Sequence, residues 1–438
     1  MTVQVQTMGS NTPELYGRHA SGSVEKVQCS RNIVIQTSQI VYQVGHNSSY
    51  RCPIQMTDAV LFQATDLVKI NDDGVRLAAK LIRQKLRAES YTPRTWRTHP
   101  LHICPPEPYR AADPMTRKVL DWIFLISALN FSFWSEKEGT PERYGVEWRA
   151  GWESTQRKIH TGYWSLVAAL DRALEEGIPI TDPTFYGSET RCPDALISHI
   201  FREASGCTET IPLLSERISI MREVGSILTS SFGGSYQGFL DEFHRRHNGQ
   251  GTALDLVRMV VDTFPSFRDE TVYDGTKVYL WKRPQILVAE TWAAFFPASQ
   301  GDRHPIFPGE QGPAIHELTM FADYRVPQIL HHLRILSYPP SLVEQLRQGI
   351  YLPMGCREEL SLRTSSIIAV DRVRAEILAA IQEEDPDNSH VLGSTISSVL
   401  IDFFLWDLAK RLESGEESIE GLETEDIVPI HRTRSIWY

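Results

Sequence analysis

The chain has 438 residues, 42% of them hydrophobic and 23% charged, with a formal net charge of −11 at pH 7. That balance permits a sizeable core and excludes wholesale disorder. The acidic total counts against tight binding along a DNA or RNA backbone, where Lys and Arg must replace counterions, although a local basic patch can still hold one phosphate.

In chain order, residues 1–62 are rich in Ser, Thr, Gln and Gly and lack helical periodicity, so they read as a poorly structured extension. The first twenty residues have no basic region followed by an apolar run, which excludes a secretory signal. The sequon at Asn47 is then a chance match. The rest, 63–438, reads as one domain. Its first helix is NDDGVRLAAKLIRQKL, where Asn71 to Asp73 offer caps and Val75, Ala78, Ala79, Ile82 and Leu86 make an apolar face. A Pro-rich connection, HICPPEPYRAADP, precedes the apolar helical run TRKVLDWIFLISALNFSFW. Its most apolar part, Ile123 to Phe133, is too short and too polar to span a bilayer, so no membrane association is expected.

GVEWRAG and TGYW suggest short strands or turns. WSLVAALDRALEEG, SERISIMREVGSILTSSFGG and ALDLVRMVVDTFPSF read as helices. TVYDGTKVYLWK is a hairpin, with Asp274-Gly275 between two β-prone arms. ASQGDRHPIFPGEQGPA is a Gly- and Pro-rich loop. Helices follow at PQILHHLRIL, SLVEQLRQG, SIIAVDRVRAEILAAIQ and STISSVLIDFFLWDLAKRL, then a charged connection and the terminal HRTRSIWY. The fold class is mainly α with a minor β-hairpin element.

The six cysteines, Cys29, Cys52, Cys104, Cys192, Cys207 and Cys356, are scattered without a CxxC pair, which predicts free thiols in a reducing compartment. The expected location is the cytoplasm, with the nucleus as a second compartment. GxGxxG, GxxxxGK[ST] and GxSxG are absent, against Rossmann, P-loop and hydrolase-elbow chemistry. His244 and His247 form an HxxH with no evident third ligand, and no metal is expected.

Three polar groups stand out. Asp323 lies in FADYRVPQ, just ahead of a helix whose first turn suits Pro327; it serves either as a helix cap or surface partner of Arg325, or as a carboxylate facing a pocket. Lys282 and Arg283 follow the hairpin and are either solvated or anion-binding. Asp402 and Trp406 are four apart on one helical face, with Asp407 on a rotated one, and acids among Phe and Trp are costly to bury without partners.

Several unusual strings occur together: LNFSFW, TGYWSL, EGIPIT, FPSFRD, KRPQILVAETW, TMFADYRVPQ, DFFLWDLA and HRTRSIWY. In this order and spacing, over roughly residues 65 to 438, they resemble the queuosine salvage protein family. The resemblance implies a helical body similar to DNA glycosylases. It also implies hydrolysis of queuosine 5'-phosphate to queuine and ribose 5-phosphate, with no organic cofactor. Breaking the glycosidic C1'–N bond builds positive charge on the ribose, which a carboxylate can stabilise or attack. A 7-deazaguanine lacks the basic N7 of ordinary purines, so the leaving base must be held by its other edges.

Carried over by motif, Asp323 is the catalytic carboxylate. Lys282 matches a Lys near the centre, to bind the 5'-phosphate or tune Asp323, with Arg283 a second phosphate candidate. His102 matches a His that touches substrate. Phe321 and Ala322 flank Asp323 and are expected in the base pocket. Asp402 and Asp407 are expected to read the base, with Trp406 packing on it, while LNFSFW and TGYWSL supply core and pocket wall. The chain departs from the family in its N-terminal extension, in a longer loop between Trp292 and Thr319, and in Glu290 where the family often has Asp. The expected partner is a small nucleotide met by a monomer, with no direct nucleic acid. A glycosylase for another purine-like base, or a non-catalytic queuine-binding protein, remain the alternatives.

Overall fold

Helix caps and buried apolar faces set most of the architecture in a computed structural model that describes residues 67–438, apart from 274, 300, 388–392 and 394. The extension 1–62, the domain start at 63, Asn47, Cys29 and Cys52 lie outside the described residues. A short strand β1 (Lys69–Ile70) leads into α1 (Asp72–Ala88), where the Asn71 side chain accepts from the Asp73 N–H at 3.1 Å. Its expected face, Val75 to Leu86, is buried. Gly74 permits the close approach that seats α1, because a Cβ there would fall 2.0 Å from the Arg334 carbonyl oxygen.

Next comes α2 (Pro114–Ala128), begun by Pro114 in the first turn and by the Asp113 side chain, which accepts from the Met115 N–H at 2.8 Å. Every residue from Val119 to Ala128 is buried. The helix then stops, and Leu129–Trp134 leaves the helical path expected of it, with Ser132 at φ 52°. The reason lies in its partners. The buried Arg217 guanidinium takes the Leu129 and Phe131 carbonyls, each at 2.5 Å, and the Ser132 hydroxyl and Trp134 indole donate to the Ser435 and Thr433 carbonyls. These contacts reward an irregular backbone more than another turn would.

Strands β2 (Gly145–Arg149) and β3 (Arg157–Thr161) pair antiparallel, Gly145 opposite Thr161. Within TGYW, Thr161 ends β3 and Gly162 turns at φ 62°, as expected, while Tyr163 and Trp164 already open α3 (Tyr163–Glu175). Short α4 (Pro183–Tyr186) and α5 (Asp194–Ile200) precede α6 (Leu214–Ser231), α7 (Tyr236–Arg246) and α8 (Ala253–Thr263), the last begun by a Thr252–Asp255 capping box. The expected hairpin forms as β4 (Glu270–Tyr273) and β5 (Thr276–Tyr279), with Tyr273 opposite Thr276 and Gly275 at φ 74°.

Helix α9 (Lys282–Ala294) follows at once and is buried along its whole length. It packs against α2, α8 and the turn Pro93–Thr98, at the centre of the molecule. The loop after it leads to α10 (Arg325–His332). Strand β6 (Leu336–Ser337) then returns to pair with β1, and α11 (Pro340–Arg347), α12 (Arg357–Glu384) and α13 (Ser398–Ser414) complete the body. Helices α10, α12 and α13 pack together, and the final segment threads back so that His431, Thr433 and Tyr438 are buried. None of the helices among the described residues is long and apolar enough to cross a membrane.

Candidate active site

A cavity of about 300 Å³ opens between α9, α13 and the segment just before α10. Helix α9 contributes Lys282, Ile286 and Glu290, spaced i, i+4, i+8 on one face. Eight residues at 1.5 Å each put the lysine and the glutamate about 12 Å apart along the helix. Trp281, in the left-handed region at φ 50°, turns the hairpin into this helix and makes Lys282 its first residue.

The Lys282 ammonium is buried and donates to the Asn130 carbonyl at 3.1 Å and to Asn130 Oδ1 at 3.0 Å. Burial pulls its pKa down to about 8, against the attraction of Asp323 and Asp402. Asp323 lines the same cavity. Its Oδ1 accepts the N–H groups of Arg325 at 2.8 Å and Val326 at 2.9 Å, so the capping reading is realised by one oxygen. Among the described residues no hydrogen bond reaches the other oxygen, Oδ2. One carboxylate thus fixes its own rotamer and keeps an acceptor for the cavity.

Asp402, on α13, accepts the Phe321 N–H at 3.0 Å and is almost wholly buried. Burial first, and then the Asp323 charge, hold its pKa well above the usual carboxylate range. Burial thus favours the protonated form of Asp402, which can donate a hydrogen bond as well as accept one. Glu290 receives the Tyr163 hydroxyl at 3.2 Å and the Ser127 hydroxyl at 3.3 Å, and burial lifts it to about 7 despite those donors.

Aromatic rings make the remaining walls. Trp406 meets Tyr163 and Trp164 edge to face at 5.9 and 5.7 Å, and Phe321 stands 5.9 Å from Phe403. His102 stacks on Trp96 at 4.1 Å, and its Nδ1 lies 2.6 Å from the Trp96 carbonyl. A carbonyl only accepts, so Nδ1 carries the proton, and burial keeps the ring neutral with a pKa near 4. Its Nε2, buried without a partner among the described residues, is a spare acceptor in the wall. Asp407 also lines the cavity, with Oδ2 taking the Tyr91 hydroxyl at 2.5 Å.

Seven of the nine residues expected from the sequence thus share this cavity: Asp323, Lys282, His102, Phe321, Asp402, Trp406 and Asp407. Two do not. Arg283, one residue round the helix from Lys282, turns inward, where its guanidinium donates to the Ala128 and Ser266 carbonyls between the rings of Phe131 and Phe267. The end of α2 absorbs its charge, so it is not available to a phosphate. Ala322 is buried outside the lining, and its carbonyl accepts from Arg363 Nε at 2.8 Å. Sequence reasoning passed over Glu290, noted only as a departure, and the flank formed by Arg143, Arg325 and Lys410. The i, i+4, i+8 spacing within KRPQILVAE was the available signal for Glu290.

Behind this wall, Arg363 ties the segment to the start of α9. It donates to both oxygens of Asp269, at 3.2 and 2.5 Å, and Asp269 Oδ2 accepts the Lys282 backbone N–H at 3.3 Å. His244, of the HxxH pair, has its Nε2 2.9 Å from the Ile306 carbonyl.

The model of the queuosine salvage protein matches residues 110–438. The chain belongs to the queuosine salvage protein family. Among its relatives, a Schizosaccharomyces pombe protein named queuosine 5'-phosphate N-glycosylase/hydrolase is 39% identical over 378 residues, covering 85% of this chain and 95% of that one. Proteins of the same name from Mus musculus and Sphaerobacter thermophilus are 36% and 33% identical, covering 85% and 82% of this chain and 94% and 91% of their own lengths. The queuosine salvage match begins at residue 110, yet the wall residues Tyr91, Trp96, His99 and His102 lie ahead of it, and β1 and α1 dock on β6 and α12. The working body of this family member therefore extends N-terminal of the matched segment.

Proposed function

We propose that this member of the queuosine salvage family hydrolyses the N-glycosidic bond of queuosine 5'-phosphate, releasing queuine for reuse in tRNA modification and leaving ribose 5-phosphate. The observation that carries the reading is the shared wall of Asp323, Lys282 and Asp402: a carboxylate with one free oxygen, beside a buried amine and a buried acid whose protonated form burial favours.

With the ribose over Asp323, the C1'–N bond breaks and the base leaves with the bonding pair. The free Asp323 oxygen meets the positive charge that develops at C1'. Asp402 and the His102 Nε2 acceptor face the edges of the base, while Trp406 and Phe321 give it apolar surface. The base nitrogen takes up a proton, water adds at C1', and the proton that water sheds passes to a wall base. The protonated form of Asp402, which burial favours, suits a base that has lost the basic N7, because it offers a donor where a carboxylate would repel the electrons arriving on the ring. The substrate is a small nucleotide met by a single chain, without contact to intact nucleic acid.

Purified protein incubated with queuosine 5'-phosphate, queuosine and guanosine 5'-phosphate tests the assignment by chromatography of the freed base. Queuine should appear fastest from queuosine 5'-phosphate. Release of guanine alone would replace this reading with the general purine glycosylase, and binding without release would replace it with the carrier.

A further inference from the structure

The catalytic wall leaves the most highly charged group of the substrate without a partner. A phosphomonoester carries about 1.5 to 2 negative charges at pH 7 and needs cations or oriented donors where water is partly excluded. Arg283 is turned into the core, and Lys282 already gives two protons to Asn130. Among the described residues, the other Lys and Arg side chains lining the cavity are Arg143, Arg325 and Lys410.

These three come from separate parts of the chain. Arg143 precedes β2, Arg325 opens α10 and Lys410 lies late in α13. Their side chains retain 16%, 11% and 26% of full exposure, which leaves them reachable from the cavity but poorly hydrated. Two carboxylates face them. Glu138 pairs with Arg143, and Glu413 lies 2.7 Å from Lys410 and 3.5 Å from Arg325. One positive charge is left over. Glu413, moreover, lines a neighbouring groove and not this cavity, so it holds the cations from behind. Arg143 Nε is buried with no hydrogen-bond partner among the described residues. The like charges are felt: burial, and then Arg325, lower the pKa of Lys410, with Arg143 adding to the effect.

Position fits as well. Arg325 follows Asp323 by two residues, and its N–H caps the Asp323 carboxylate. The 5'-phosphate hangs from the sugar by one methylene, so it must lie within a ribose width of the group beneath C1'. Chain connectivity keeps Arg325 near Asp323, and folding brings Arg143 and Lys410 to the same cavity.

We propose that Arg143, Arg325 and Lys410 form the subsite for the 5'-phosphate, and that this subsite, not Lys282, makes the enzyme prefer a nucleotide to its nucleoside. The inference rests on the glycosylase reading of the cavity. Lys282 is thereby left to the reacting end of the substrate.

Arg143→Gln, Lys410→Gln and the double variant test the subsite through initial rates on queuosine 5'-phosphate and queuosine. The nucleotide should lose roughly tenfold or more in kcat/KM per cation removed, mainly through KM. The nucleotide-to-nucleoside ratio should fall with it, and the nucleoside rate in the same preparation reports folding. An unchanged ratio, or equal losses on both substrates, overturns the subsite. If the unaltered enzyme frees no base from the nucleotide, the glycosylase reading itself fails. The subsite is then decided separately with inorganic phosphate: protection of the unaltered protein against thermal unfolding that the double variant lacks supports it, and no protection overturns it.

Discussion

Two buried cations serve the segment 321–323, and they are treated differently. Arg363 is surrounded on all sides: its Nε holds the Ala322 carbonyl, and its terminal nitrogens hold Asp269 and Glu359. Burial alone would weaken that charge, yet Asp269 and Glu359 hold the guanidinium above its ordinary pKa. Lys282 has two neutral acceptors on Asn130 and, among the described residues, no carboxylate paired with it, and its pKa falls to about 8. A buried ion with every partner in place fixes geometry. A buried ion kept short of partners stores an interaction for a ligand to complete. The same hydrogen-bonded segment separates the supporting group from the working one.

The contrast is broken most severely at Arg363. Arg363→Met strands two buried carboxylates, and unfolding in urea should show a loss of about 3–5 kcal/mol. Asp323→Asn should do the reverse. Asparagine retains an oxygen that can accept from the Arg325 and Val326 N–H groups, so the fold and ligand binding persist. Only the negative charge under the sugar is removed, and turnover should drop about 10²–10³-fold in single-turnover kinetics. Unchanged turnover in that variant would discard Asp323 as the reacting carboxylate.

Glu290 sharpens the comparison from the acid side. Its folded pKa of about 7 lies above its ordinary value of 4.5. The folded protein therefore takes up a proton in this interval that the unfolded chain does not hold. That contribution to stability is complete below about pH 4.5 and is lost as pH rises through 7. The loss amounts to at most about 3.5 kcal/mol, at about 1.4 kcal/mol per unit. Glu290→Gln mimics the neutral acid, so its stability between pH 5 and 8 should be flatter than that of the unaltered protein. Denaturant melts across that range make the measurement.

What the sequence disclosed follows from where periodicity operates. Helix α1 has one buried face and one wet one, and caps at Asn71, so its pattern was legible. The hairpin at 270–279 was legible because an Asp-Gly turn sits between β-prone arms. Helix α9 is buried on every side, so no amphipathic stripe says which of its residues meet a cavity. A helix turns about 100° per residue, and Lys282 and Arg283 therefore face different surroundings although the sequence presents them as equals. Leu129–Trp134 reads as more helix because its competitors, Arg217 and the Thr433–Ser435 backbone, lie far away in the chain. Arg143, Arg325 and Lys410 stayed hidden for the same reason: only folding brings them to one flank. Asp402 and Asp407 stood out because acids among Phe and Trp announce a cost that some partner must offset, whereas Asp323 was singled out by its family motif, its position alone fitting a helix cap equally well.

The smallest expected effect isolates the charge of Lys282. If that ammonium works as a cation beside Asp323, kcat/KM must fall as it loses its proton, tenfold per pH unit above about 8. Other cations are pulled down too, Lys410 in the cavity wall and the buried Arg217 and Arg283, each of these two to about 9, and loss of those charges would also bend an alkaline profile. The two arginines are engaged with backbone carbonyls outside the cavity, so their deprotonation would act through unfolding, while that of Lys410 would leave the rate on the nucleoside unchanged. Lys282→Arg separates these causes. A guanidinium keeps its charge well above pH 8, so the variant, although slower from its altered shape, should lose the limb near 8 and show a flat profile up to the onset of unfolding. A limb that stays near 8 in Lys282→Arg would assign it to another group and leave Lys282 a structural anchor for Asn130.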